Sequence, residues 1–145
     1  MSKVISIDPG KSKCGIVLAE ISEKEVYKAI ILKSELIEDF LRNLVAVEDI
    51  SKIIIGNGTT SREIIEKLGF LKKEIITFEE KNTTYRAKER YFELFPISGL
   101  KFLIPREIFI LNKNLDAISA LIILEDYCKM KFTLNQNIDI KTWLK

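Results

Sequence analysis

The sequence predicts an α/β fold: one mixed sheet of five strands, flanked by helices. Three apolar runs of strand length follow one another near the N-terminus with nothing helical between them, which predicts an antiparallel meander. Two more short apolar runs then alternate with stretches of helical periodicity, which predicts two parallel strands joined by helices. The 145 residues fit a single domain over 1–145. A chain of this size buries roughly two-thirds of its unfolded surface, so it needs no disulfide or metal staple to fold.

Val4, Ile5 and Ile7 favour a first strand, because β-branched side chains fit a pleated surface. Pro9-Gly10 ends it, and Gly10 is free to take φ > 0 where the chain reverses. The second strand covers Cys14 to Leu18 and the third Val26 to Leu32, with a turn around Ser22-Glu23-Lys24. Ser34 reads as the N-cap of a helix, with Glu35 and Glu38 in its first turn. Leu36, Ile37, Phe40, Leu41 and Leu44 carry its apolar stripe to an end at Val45 to Val47.

Ile53-Ile54-Ile55 is a continuous apolar run, the pattern of a strand covered on both faces. The loop Gly56-Asn57-Gly58-Thr59-Thr60-Ser61 follows it. This loop lacks the Lys-Ser/Thr ending of a P-loop and the spacing of a dinucleotide fingerprint. It reads as a strand-to-helix connection with Thr60 or Ser61 as N-cap, and Thr59 or Thr60 in reach of a backbone phosphate. Ile64, Ile65 and Leu68 mark the next helix, stopped by Gly69. Ile75 to Phe78 is the last strand, and a helix from about Thr84 to Phe95 places Ala87, Tyr91 and Leu94 on one face. Pro96 to Arg106 reads as a loop or lid packed by its own side chains. A final helix starts near Asn114, with Leu115, Ile118, Leu121, Ile122 and Leu124 giving it a broad apolar surface.

Composition removes several kinds of chemistry. There is no histidine, which excludes Ser-His-Asp and Cys-His nucleophiles, His-ligated zinc and imidazole bases together. Cys14 and Cys128 are too few for a disulfide framework, and no signal-peptide pattern precedes the first strand, so a cytoplasmic location is expected. No apolar run reaches the ~18 residues of a membrane span. The net charge of +2 is too small to steer the whole molecule to a polyanion, so nucleic acid would have to meet a local basic patch.

Three carboxylates stand at element boundaries. Asp8 ends a strand that should be buried, where it needs a hydrogen-bond cage, a cation or a metal, unless it only caps the turn. Glu79 and Glu80 follow the last strand, the place where open α/β sheets put ligands, although acids also suit a helix start. Asp116 lies in the first turn of the final helix, where the dipole favours it in any case.

This order of elements, with acids at Asp8, Glu80 and Asp116, resembles the ribonuclease H-like nucleases. More narrowly it is similar to the YqgF-like branch, related to the RuvC Holliday junction resolvases. Asp8-Pro9-Gly10-Lys11-Ser12-Lys13-Cys14-Gly15 resembles the family's first motif. Glu79-Glu80-Lys81-Asn82-Thr83-Thr84-Tyr85-Arg86-Ala87 is similar to its acid-Glu-x-x-Thr-Thr-x-x-Ala motif, and Leu115-Asp116-Ala117-Ile118-Ser119-Ala120 to its last.

The resemblance implies a metal-dependent phosphodiester hydrolase with Asp8, Glu80 and Asp116 as catalytic residues and metal ligands. One or two Mg²⁺ or Mn²⁺ ions would be held by hard carboxylate oxygens, Asp8 bridging them. Lys11, Lys13, Thr59, Arg62, Thr84 and Arg86 would contact nucleic acid, and surface solvation is the competing reading for the basic ones. The expected substrate is structured or single-stranded RNA, in ribosomal RNA precursor processing. Holliday junction resolution and a non-catalytic nucleic-acid-binding module on the same fold are the alternatives. The expected state is a monomer or homodimer. One departure stands out: Lys113 occupies the place of a further acid found in many resolvases, leaving Glu79 or Asp126 as substitutes. Asp8-x-Gly10 also resembles a phosphate loop of actin-like ATPases, but those bind nucleotide between two such domains, and this chain has room for one.

Overall fold

The computed structural model describes residues 2–58, 60–79, 83–96, 99, 103, 105 and 114–138. The predicted meander is present: β1 (Lys3–Asp8) pairs antiparallel with β2 (Lys13–Glu20), and β2 with β3 (Glu25–Lys33). On the other side of β1, β4 (Ile50–Gly56) and β5 (Glu74–Phe78) add in parallel. A sixth strand, β6 (Thr133–Leu134), pairs parallel with β3, giving the order β5-β4-β1-β2-β3-β6. The expected sheet had five strands. β6 escaped because two residues carry no periodicity; backbone bonds hold it, Thr133 N–H to Lys24 C=O at 2.8 Å and Asn135 N–H to Val26 C=O at 2.9 Å.

Alternation along β1 divides the molecule into two cores. Ile5 and Ile7 face α1 (Ile37–Val47) and α2 (Ser61–Leu68), packing with Ile37, Leu41, Leu44, Ile64 and Leu68. Val4 faces the opposite way, into a core with Val17, Ile54 and the residues of α3 (Thr83–Leu94) and α4 (Asp116–Cys128). Ser6 shares the face of Val4 and is fully buried, its hydroxyl donating to the Ala120 carbonyl of α4 at 2.7 Å. Helix α4 is buried without interruption from Ala117 to Glu125, as a helix that is apolar on nearly all sides must be. Its far end is tied down by Glu125, which accepts from Arg90 Nε and Nη2 at 3.0 and 2.8 Å and from the Phe132 N–H at 2.8 Å.

Of two expected caps, one is replaced and the other keeps its position without its side-chain bond. Ser34 opens a 3-10 turn (Ser34–Leu36) ahead of α1, and its hydroxyl donates to the Gly10 carbonyl at 2.7 Å instead of capping. Thr60 is the N-cap of α2, one of the two expected positions, but makes no side-chain cap bond; Ser61 is the first residue of the helix and donates to the Gly58 carbonyl at 2.7 Å. In both places a nearby carbonyl captures the hydroxyl that a cap would use. Helix α4 begins at Asp116, two residues later than expected, with the Asn114 side-chain oxygen accepting the Asp116 N–H at 3.0 Å. Most of the expected loop or lid at Pro96 to Arg106 lies outside the described residues. Both cysteines are free thiols, and no helix among the described residues is long and apolar enough to cross a membrane.

Candidate active site

Since β1, β4 and β5 run parallel, Asp8, Gly56 and Phe78 end at one rim of the sheet. The meander contributes the start of β2 and the end of β3 to the same rim, because Lys13 pairs with Lys33 and Gly15 with Asp8. Helix α4 runs back across this face: its Ala120 lies over Ser6, and its first residue, Asp116, lies nearer the rim.

Asp8 follows Ser6 at the pleat period of two, so its carboxylate points to the α4 side. Directly opposite it on β2 is Gly15. A Cβ at Gly15 would overlap the Asp116 carbonyl and come within 2.6 Å of the Ala117 nitrogen. Glycine is required there by close backbone approach rather than by a turn. The seat it provides brings the start of α4 against the strand that carries Asp8's partner, and so brings two acids far apart in sequence to one place.

The electrostatics record that proximity. Burial pushes the Asp8 carboxyl up to about 7, and the charge of Asp116 adds to the rise. Asp116 is raised as well, by burial, with the Asn114 side chain and the Lys13 ammonium pulling it back. Asp8 must therefore lose its proton against burial and the neighbouring charge of Asp116. Among the described residues the Asp8 carboxylate has no hydrogen-bond or salt-bridge partner. A half-buried carboxylate pair with no salt bridge to a described residue suits a hard divalent cation, which prefers oxygen donors and would favour both ionised forms. The described residues contain no group of three acids, cysteines or histidines able to hold a metal ion. Glu80, the third expected ligand, lies outside them; its described flanks, Phe78 at the end of β5 and Thr83 at the start of α3, border the rim.

No protein-family model and no curated protein sequence matches the chain. Among solved structures it is similar to T. thermophilus RuvC in complex with a Holliday junction substrate. The TM-score is 0.55 at 10% identity, and the match covers 89% of this chain and 96% of that one. The fold is RuvC-like. The likeness supports the ribonuclease H-like architecture and does not single out the YqgF-like branch.

On this RuvC-like fold the other expected contact residues separate. Lys11 and Lys13 are exposed at the rim that Asp8 ends on. Arg62 and Thr84 are exposed in the first turns of α2 and α3, which start from that rim. Thr59 lies outside the described residues, as does Lys113. Arg86 is engaged by Asp126 of α4 in a two-pronged pair at 2.5 and 2.6 Å. That pair ties α3 to α4, and it also removes Asp126 as a ready substitute for the missing fourth acid. Two residues that matter here, Gly15 as the seat of α4 and Lys33 opposite Lys13, had no assigned role in the sequence. Gly15's role depends on where α4 docks, and Lys33's on the hairpin register.

Proposed function

We propose that residues 1–145 form a divalent-metal-dependent nuclease that hydrolyses phosphodiester bonds in nucleic acid. The observation that carries this is the meeting of Asp8 and Asp116 over Gly15, with Asp8 raised to about 7 by burial and by its neighbour. Asp8, Asp116 and Glu80 would hold one or two Mg²⁺ or Mn²⁺ ions. Such ions supply an activated water and charge stabilisation at the leaving oxygen. The protein's own part is to hold the two carboxylates together by burial, where a bound cation would keep both ionised, and to position the substrate strand. Lys11 and Lys13, whose charge already acts on Asp116, would hold the backbone beside the reacting phosphate.

We favour branched DNA as substrate, because a solved structure of similar fold, T. thermophilus RuvC, is in complex with a Holliday junction substrate. Processing of a ribosomal RNA precursor has only the motif resemblance behind it. End-labelled four-way junction, single-stranded RNA and hairpin RNA, each incubated with Mg²⁺ or Mn²⁺, test the proposal. Metal-dependent cleavage, preferring the junction and lost in Asp8→Asn and Asp116→Asn, is expected. Cleavage that persists in Asp8→Asn would overturn it, and binding with no turnover on any substrate would leave a non-catalytic module.

A further inference from the structure

Lys13 and Lys33 sit directly opposite each other on β2 and β3. Their neighbours fix the direction of both side chains. Cys14 and its partner Leu32 pack toward α1 and α2, while Ile31, opposite Gly15, packs toward α4. The alternation then puts Lys13 and Lys33 on the α4 side, the side of Asp8 and Asp116. Like charges directly opposite across an antiparallel pair destabilise it. Neither lysine, nor Lys11 beside them, forms a salt bridge with any described residue. All three line one open cavity of about 320 Å³, completed by Ser12, Ser34 and Glu35. The Ser34 hydroxyl is engaged with the Gly10 carbonyl, which holds the end of β3 against the β1–β2 turn.

We propose that this cavity is a second phosphate site, taking a backbone phosphate of the nucleic-acid strand next to the one at Asp8 and Asp116. The inference rests on the nuclease reading for the identity of the strand, and on the cross-strand lysine pair for the anion. From strand spacing and rise, Lys13 lies about 8 Å and Lys33 about 12 Å from Asp8, Cα to Cα. These distances belong to a neighbouring phosphate of the same strand rather than to the reacting one. A bound phosphate supplies the close ion pair that neither lysine makes with a described residue. Glu35 at the cavity wall opposes it, which keeps the free site from holding anions indiscriminately.

The test is binding of a short fluorescein-labelled single-stranded oligonucleotide by the full chain in EDTA, across a salt series. Lys33→Gln is expected to weaken binding several-fold and to lower the log–log salt slope by about 0.7, the value for one phosphate contact to a single strand. Lys28→Gln, exposed on the same strand but outside the cavity, is expected to leave affinity unchanged, and Glu35→Gln to tighten it. At low salt Lys33→Gln should melt no lower than the parent, since it relieves a like-charge contact. Equal losses in Lys33→Gln and Lys28→Gln, an unchanged slope, or a lower melting temperature in Lys33→Gln would each overturn the site. Because divalent ions are absent, the two proposals fail separately. Lys33-dependent binding without cleavage would count against the nuclease alone, and cleavage with binding indifferent to Lys33 against the cavity alone.

Discussion

The Asp116 carbonyl rests on Gly15 so closely that no side chain fits between them. Gly15→Ala should therefore push the start of α4 off the sheet. Overpacking of this kind costs about 1–3 kcal/mol, and urea denaturation would read it. Mn²⁺ affinity should fall with it, because Asp116 moves with the helix. Gly69→Ala is the control: a Cβ there meets nothing within 4 Å, and its helical backbone predicts a neutral effect or a gain of up to about 1 kcal/mol.

The raised Asp8 carboxyl makes stability pH-dependent. Below the ordinary Asp value, near 3.8, the carboxyl is protonated in both folded and unfolded chains. Between there and about 7 the folded protein keeps a proton that the unfolded chain releases, so stability falls as pH rises. Asp116, also raised, adds in the same direction. The loss from Asp8 is at most about 4 kcal/mol, taking about 1.4 kcal/mol per unit. Asp8→Asn removes it: in EDTA this variant should melt above the parent at pH 8 and close to it at pH 4. Thermal melts at the two pH values decide the matter.

Divalent cations should reverse that loss. At pH 8, Mg²⁺ at about a hundred times its dissociation constant would stabilise the folded protein by about 2.7 kcal/mol. The shift should vanish in Asp8→Asn and shrink in Asp116→Asn. A melting temperature indifferent to Mg²⁺ and Mn²⁺ in the parent would contradict the metal site, whatever the cleavage assays show.

Glu125 and Arg90 form a pair that is nearly out of solvent, with side chains 8% and 11% exposed. Removing one partner leaves the other charge buried, which costs about 3–5 kcal/mol. Arg90→Met should therefore be strongly destabilising in urea. It should also free β6, because Arg90 Nη2 donates to the Phe132 carbonyl at 2.8 Å just ahead of that strand. Faster amide exchange at Thr133 and Asn135 than at Ile5 would show it.

Most of the sheet was legible because its strands announce themselves locally. Ile53-Ile54-Ile55 is apolar throughout since both faces are covered, and Val4 to Ile7 splits between two cores as alternation requires. Asp8 and Asp116 were legible as boundary acids. What the sequence leaves open is long-range pairing. Arg86 has the exposed, basic look of a phosphate contact until Asp126, 40 residues on, takes its guanidinium. Ser34 has the signature of an N-cap until the Gly10 carbonyl, 24 residues back, takes its hydroxyl. The reason for Gly15 appears only when α4 is docked, since nothing in its own neighbourhood calls for glycine.

The two margins of the sheet are unlike. On one side β6 covers only Glu25 and Val26 of the nine-residue β3. β5 ends the other with five, and Ile75 and Ile76 are half-buried there. Among the described residues each margin thus leaves strand edge unpaired, the stretch of β3 beyond Val26 on one side and β5 on the other, and Lys28 and Lys33 on the first and Lys72 and Lys73 before the second put charge where an incoming strand would pair.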